Sequence, residues 1–315
     1  MRLRRDILLF IALAVVAVVG GVLLLVLKPG GAINGFVSDA KARAAAARPN
    51  PANAEVFRAT VCSAGPCVLV EAGGLAILVG AGEGTAAGLS ARGLMRPDLD
   101  AIVLADLTLD SIAGLPGVAQ GSLAEGRRES LRVYGPSGIV PVIDGVNLML
   151  AGEPGARLVV GTDKEDQGLE GLVVFDSGVV SVRAFGGQGV GEGRVYRVDF
   201  EGKSLVIAGC RARAAQIVSA ARGTQKAAGI LAAGSSRLED GRDQCLEAGD
   251  VLAAAGQARL DAVLLSPLRP SAAIPGALRA WRDVMAGEKA DEAVVGGPGS
   301  IVDLSAEKPS IRPAG

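Results

Sequence analysis

Asp106, Thr108, Asp110 and Ser111 follow directly on the apolar run Ala101-Ile-Val-Leu-Ala105, and apolar residues resume at Ile112 and Leu115. A short apolar run of this kind fits a buried strand. Closely spaced polar side chains at the end of such a strand are where an α/β enzyme carries its chemistry. The 315 residues include no histidine. That excludes Ser-His-Asp and Cys-His nucleophilic schemes and removes imidazole, the ligand best suited to zinc. A Ser–Lys pair stays open. Asp106 and Asp110 could form a hard-cation site for Mg²⁺ or Ca²⁺. The preferred reading makes them solvated carboxylates or caps of the helix that follows. Lining one cleft with no cation between them, the two carboxylates would repel each other.

The elements that must position these residues are legible on both sides. Residues 56–61, 67–71 and 75–79 read as strands, the last two joined by a hairpin at Ala72-Gly-Gly74. The glycine-rich stretch from Gly80 to Gly88 resembles a dinucleotide loop in composition. That fingerprint requires a first strand inside a βαβ unit, and the preceding hairpin argues against it. Cys62 and Cys67 flank Ser-Ala-Gly-Pro, and they are either a disulfide closed by the Gly-Pro turn or two small buried hydrophobes. Further on, residues 178–185 and 194–200 read as strands around a 186–193 loop, and residues 213–221 and 245–255 as helices. Cys245, after Arg242-Asp-Gln244 in a polar stretch, has no evident partner. Two β-rich blocks alternating with helices indicate an α/β fold.

The segment Val103-Leu-Ala-Asp-Leu-Thr-Leu-Asp-Ser-Ile-Ala-Gly-Leu115 resembles the metallo-β-lactamase-fold signature, a strand followed by T-H-x-H-x-D-H and a helix. It is most similar to the ribonuclease Z-like and membrane-anchored hydrolase branch. Ala76-Ile-Leu-Val-Gly-Ala-Gly-Glu-Gly-Thr85 resembles that family's L-x-D-x-G-E-G-T, and Leu131-Arg-Val-Tyr-Gly-Pro-Ser-Gly138 its P-L-x-V-Y-G-P-P-G. The resemblance implies an αββα sandwich over residues 56–305 and, in ordinary members, two zinc ions. Carried over position by position, the three signature histidines fall at Asp106, Thr108 and Ser111, and the signature aspartate survives as Asp110. Gly80 stands where the family has an aspartate near the metals, and the histidine-bearing loop falls near Gly189. Cys210, in Gly202-Lys-Ser-Leu-Val-Ile-Ala-Gly-Cys210, takes the place of the metal-bridging aspartate. Pro267, in Asp261-Ala-Val-Leu-Leu-Ser-Pro-Leu268, takes that of the last histidine. The resemblance therefore implies a degenerate member without its metal set: a pseudoenzyme that binds or scaffolds through the old cleft or the sandwich edges. The alternative is a phosphodiester or ester hydrolase with an atypical site at Asp106, Asp110 and Cys210.

Half the residues are hydrophobic but only 3% are aromatic, so the core must be built mainly from Ala, Val and Leu. Net charge is −1, with no basic block beyond the N-terminus, and no nucleic-acid partner is expected. Residues 7–27 are uncharged and apolar; at helical rise they span roughly 30 Å, enough for a bilayer. A signal peptide would have a shorter apolar region and a small-residue site after it, whereas Lys28-Pro29-Gly30 follows here, so an uncleaved anchor is favoured. The chain then divides into an anchor (1–28), a stalk (29–55) ended as a helix by Pro49 and Pro51, the domain (56–305) and a tail (306–315). Arg2, Arg4 and Arg5 against Lys28 place the N-terminus in the cytoplasm and the domain outside, in the periplasm of a bacterial inner membrane. Alkaline phosphatase fused after Pro51 should be active in cells, and a cytoplasmic reporter at the same place silent; the reverse pattern would refute the topology.

Overall fold

The computed structural model describes residues 53–161, 171–187, 193–233, 245–267 and 292–314. The chain divides into two units between Arg48 and Pro49. The anchor and nearly all of the stalk lie outside the described residues, and among those residues no helix is long and apolar enough to cross a membrane.

One sheet holds β1 (Phe57–Val61), β2 (Val68–Ala72), β3 (Leu75–Val79), β4 (Ala101–Val103), β5 (Leu131–Tyr134) and β6 (Leu158–Val160) in that order. Beyond β1 lie β14 (Ile301–Asp303) and then β15 (Ser310–Arg312). The second sheet runs β13 (Glu292–Val295), β12 (Ala262–Pro267), β11 (Lys226–Ala233), β10 (Lys203–Ala208), β9 (Val195–Phe200), β8 (Val180–Phe185) and β7 (Leu172–Asp176). The helices are α1 (Thr85–Ala91), α2 (Leu109–Ile112), α3 (Leu115–Ala124), α4 (Ile139–Met149), α5 (Ala214–Ala221) and α6 (Ala248–Gln257).

Alternation along the strands sorts the apolar residues into three layers. Phe57, Ile77 and Val103 of the first sheet meet Val182, Val198, Leu205 and Ile230 of the second in a central core. Leu78, Ile102 and Val133, on the opposite face, pack against Leu115, Ile143 and Val146 of α3 and α4. Val206, Leu231 and Val263 pack against Ile217 and Val251 of α5 and α6. The order is helix, sheet, sheet, helix, as the resemblance implies. Every residue of β2 and β3 is buried, because both faces of the sheet are covered, and such strands read as apolar runs rather than alternations.

The β2–β3 hairpin turns at Gly73 and Gly74, both at positive φ. The parallel pairing of β3 with β4 encloses α1, so the glycine-rich loop does sit within a βαβ unit, contrary to the expectation from the hairpin. Its glycines are occupied by packing: a Cβ on Gly80 would come 2.5 Å from Pro66 O, and one on Gly82 would strike the Asp110 carbonyl. Three boundaries need correcting. The second sheet's helices begin at Ala214 and Ala248 rather than at residues 213 and 245. Residues 306–315 are not simply a tail, since β15 pairs with β14 through Val302 and Ile311. Ile311 buries its side chain in the central core, and this gives a three-residue strand its purchase.

Asp100 fixes the register at which β4 meets β3. Its backbone N–H donates to Ala76 O at 2.9 Å, and its Oδ2 accepts from Ala76 N at 2.8 Å. Burial raises its pKa to about 7, with the Asp98 charge acting the same way, against the Ala76 hydrogen bond and the Arg96 and Arg132 charges. A carboxyl raised from its ordinary value near ~4 binds a proton more tightly folded than unfolded. Its contribution to stability is full below pH ~4 and is lost as pH rises through about 7. Asp100→Asn keeps an acceptor for Ala76 and should remove this loss. Melting temperatures measured from pH 5 to 8 should fall more steeply for the parent than for the variant; parallel curves would refute the assignment.

Candidate functional site

The chain leaves β4 at Val103 and makes its turn through polar contacts. Leu104 donates to Tyr134 O at 2.8 Å. Its own carbonyl accepts the Tyr196 hydroxyl at 2.7 Å, and Ala105 O accepts Arg194 N–H at 2.8 Å. These two bonds stitch the start of β9 in the second sheet to the end of β4 in the first. Asp106 is 4% exposed, and its Oδ1 accepts both the Thr108 N–H at 2.9 Å and the Thr108 hydroxyl at 2.5 Å. This is an Asx turn, and Thr108 sits in extended conformation at the N-cap of α2. Thr108 Oγ1 also lies 3.3 Å from Ser111 Oγ. Ser111 is buried, whereas Asp110 is exposed in the first turn of α2. The two carboxylates do not share one buried environment: one is held by Thr108, and the other faces solvent at a helix start.

The glycine loop locks onto this turn. Ala81 N–H donates to Ser111 O at 3.1 Å, Gly114 N–H to Ala81 O at 2.7 Å, and Gly82 N–H to Pro66 O at 3.1 Å. Pro66 is presented by the loop that the Cys62–Cys67 disulfide closes, with Cα atoms 5.3 Å apart. The open choice between a disulfide and two buried hydrophobes thus resolves to the disulfide.

From the second sheet, β10 ends at Ala208, and Gly209 follows; a Cβ there would lie 3.5 Å from Ala105 Cβ. Cys210 comes next and is bonded to Cys245, across 35 residues. The expectation that Cys245 has no partner is therefore corrected. An even cysteine count was the signal for this bond, and it was obscured because the partner lies beyond a helix and a strand. Gln216, in α5, accepts from Arg213 N–H at 2.8 Å and donates to Gly193 O at 3.2 Å, which ties α5 to the same edge. Pro267 closes β12 opposite Ala233. Gly189 lies outside the described residues.

The strand ends surround a cavity of about 50 Å³ lined by Val61, Pro66, Val79, Gly80, Ala105, Ile207, Gly209, Ile230 and Ser266, among others, and no lining residue is charged. Gly80 lines this cavity, and Cys210 and Pro267 follow in sequence on its lining residues Gly209 and Ser266. The donors do not fit a metal. Gly80 has no side chain, a disulfide sulfur is not the thiolate that binds metal, proline offers no ring donor, and Asp106, whose Oδ1 accepts from Thr108, is the one carboxylate left among these positions at the buried turn. Among the described residues no group of three or more Cys, Asp or Glu side chains is placed to hold an ion.

No protein-family model matches the chain. A curated ribonuclease Z from Clostridium kluyveri is 26% identical over 115 residues, which span 36% of this chain and 38% of that protein. Among solved structures, the metallo-β-lactamase fold protein YhfI from Bacillus subtilis superposes with a TM-score of 0.55 at 12% identity, covering 78% of this chain and 98% of its own. The short form of human tRNase Z gives 0.53 at 18% identity, covering 67% and 92%. A long-form RNase Z from yeast gives 0.53 at 12%, covering 81% and 43%. With its two facing sheets and outer helices, this chain has the metallo-β-lactamase fold, and it contains no histidine.

Proposed function

We propose that the chain is a membrane-tethered pseudoenzyme of this fold, a binding or scaffolding domain whose strand-end cleft receives an apolar group. The observation that carries this reading is the Cys210–Cys245 bond. Two-metal hydrolysis needs several ligands converging on ions about 3.5–4 Å apart, so that a bound hydroxide attacks while both oxygens of the displacement are stabilised. At the position where the resemblance has the bridging carboxylate, this chain has a sulfur already used in a covalent bond. The cleft beside it is lined by Val, Ile, Ala and Pro side chains with Ser266, and a site of that composition holds its occupant by apolar contact. Two disulfides among the described residues suit an oxidising compartment, which supports a periplasmic domain beyond the 7–27 anchor. The second reading is an atypical phosphodiester or ester hydrolase, favoured by the ribonuclease Z match and by the buried Asp106.

Metal content separates the two. The full chain, purified in detergent from cells grown with zinc and manganese, should carry no stoichiometric metal, melt at the same temperature with and without chelator, and leave a phosphodiester substrate uncleaved. Stoichiometric metal together with a fall in melting temperature on chelation would establish the second reading instead. Asp106 gives an independent check. Asp106→Ala leaves the half-buried Thr108 N–H without its acceptor and should cost about 1 kcal/mol. Asp106→Asn keeps an acceptor and should cost less. Both losses should be unchanged by millimolar Mg²⁺ or Mn²⁺; stabilisation of the parent alone by either ion would make Asp106 a ligand.

A further inference from the structure

Helix α4 has two apolar faces. Ile139, Ile143 and Val146 point into the first sheet, as an amphipathic helix requires. The opposite stripe should be polar, yet residues 140, 141, 144, 145, 148 and 149, which fall on one side at helical spacing, are Val, Pro, Asp, Gly, Leu and Met, all exposed. Val140 is 55% exposed, Leu148 78% and Met149 73%. Asp144 is the one charged residue of the stripe. At the N-terminal end, Leu107 lies 3.5 Å from where a Cβ on Gly138 would stand, and Leu109 follows two residues later at 74% exposure. At the C-terminal end, Asn147 holds β6 through Leu158, accepting from its N–H at 2.8 Å and donating to its carbonyl at 2.9 Å. Arg157, one residue before Leu158, is exposed. Single exposed apolar residues are ordinary, but a contiguous run of them marks a contact surface.

We infer that this face of α4 lies on a phospholipid surface; the inference rests on the tethering read from residues 7–27. Three arguments favour lipid. Residues 28–52 reach at most ~90 Å when fully extended, so a tethered domain stays confined beside the bilayer. At that effective concentration a weak surface contact is populated without any high-affinity site. The stripe offers Val140, Leu148 and Met149 to a headgroup–acyl boundary, where an interfacial helix seats its apolar side chains. A second copy fits less well: a stable interface takes ~20–30 residues a side, far more than the six on this stripe.

The test uses the full chain in vesicles of phosphatidylethanolamine and phosphatidylglycerol containing a brominated phospholipid. Leu148→Trp adds a fluorophore at an exposed position, and the emission of the native Trp281 is subtracted with the parent chain. Val179→Trp, 52% exposed in the other sheet beside β8, is the control. Most of the added Leu148→Trp emission should be lost to bromine and that of Val179→Trp retained, with Met149→Trp repeating the first result. A chain that floats with the vesicles while its Leu148→Trp emission is unquenched overturns the lipid contact and leaves the tether intact. Equal quenching of both positions also overturns it, since the contact is then not at α4. A chain that fails to float with the vesicles overturns the tether and the contact together.

Discussion

The burial of two apolar sheet faces against each other governs the rest of this structure. The inner layer is built from Val, Leu, Ile and Ala, with aromatic rings at a few points: Phe57 meets Phe200 edge-on at 5.8 Å and Tyr134 meets Phe175 at 6.4 Å. Apolar burial is worth roughly 25 cal/mol per Å², and it constrains sequence as much as it stabilises structure. Strands covered on both faces carry few polar side chains, and Glu71 of β2 is buried only with Arg58 and Arg96 as its partners; polar groups free of such pairing come where the strands end. Leu104, Ala105, Gly209 and Ser266 are such ends, and the cleft lies among them.

Two sheets joined only by non-directional burial could shift relative to each other, and directional bonds fix them at the edges. At the cleft these are Tyr196 O–H to Leu104 O and Arg194 N–H to Ala105 O. At the opposite end of β10, Lys203 Nζ donates to the carbonyls of Leu304, Ser305 and Ala306 at 2.7–2.9 Å, linking the second sheet to the strand that closes the first. Covalent links add to these, at Cys62–Cys67 and Cys210–Cys245. A disulfide spanning 35 residues restricts the unfolded chain by ~3–4 kcal/mol on the loop-entropy account. The link is permanent and asks nothing of the side chains lining the cleft.

The strands and their class were legible in the sequence, because strands covered on both faces read as apolar runs and the hairpin at Gly73-Gly74 needs residues tolerant of positive φ; the order of the layers came from the resemblance. The polar turn after β4 was legible as well, since Asp106, Thr108, Asp110 and Ser111 follow directly on an apolar run. The environments within it were not. Asp106 and Asp110 are alike as letters, yet one faces Thr108 and the other solvent, a difference set by which residue the Asx turn recruits. The pairing of Cys245 depends on how the segment before α6 returns to β10, a long-range fact without local periodicity. β15 was missed because three residues hold their place through one buried side chain, Ile311, and a ladder with β14.

Polar residues that persist at a strand end invite a functional reading, and the way to weigh it is to count what each can still do. Asp106 Oδ1 already accepts two hydrogen bonds; Thr108 has one hydroxyl proton, and that proton is given to Asp106. Ser111 has Thr108 beside it, and its carbonyl receives Ala81. Each group thus has partners within the turn, and a turn that must leave a buried strand and enter α2 needs such acceptors whether or not a metal was ever bound there. A ligand set shows the opposite pattern, with donor atoms converging on a shared point and unsatisfied by protein. Through Asp106 Oδ1, Thr108 and Ser111 the polar cluster serves the turn, and the cavity beside it has an uncharged lining.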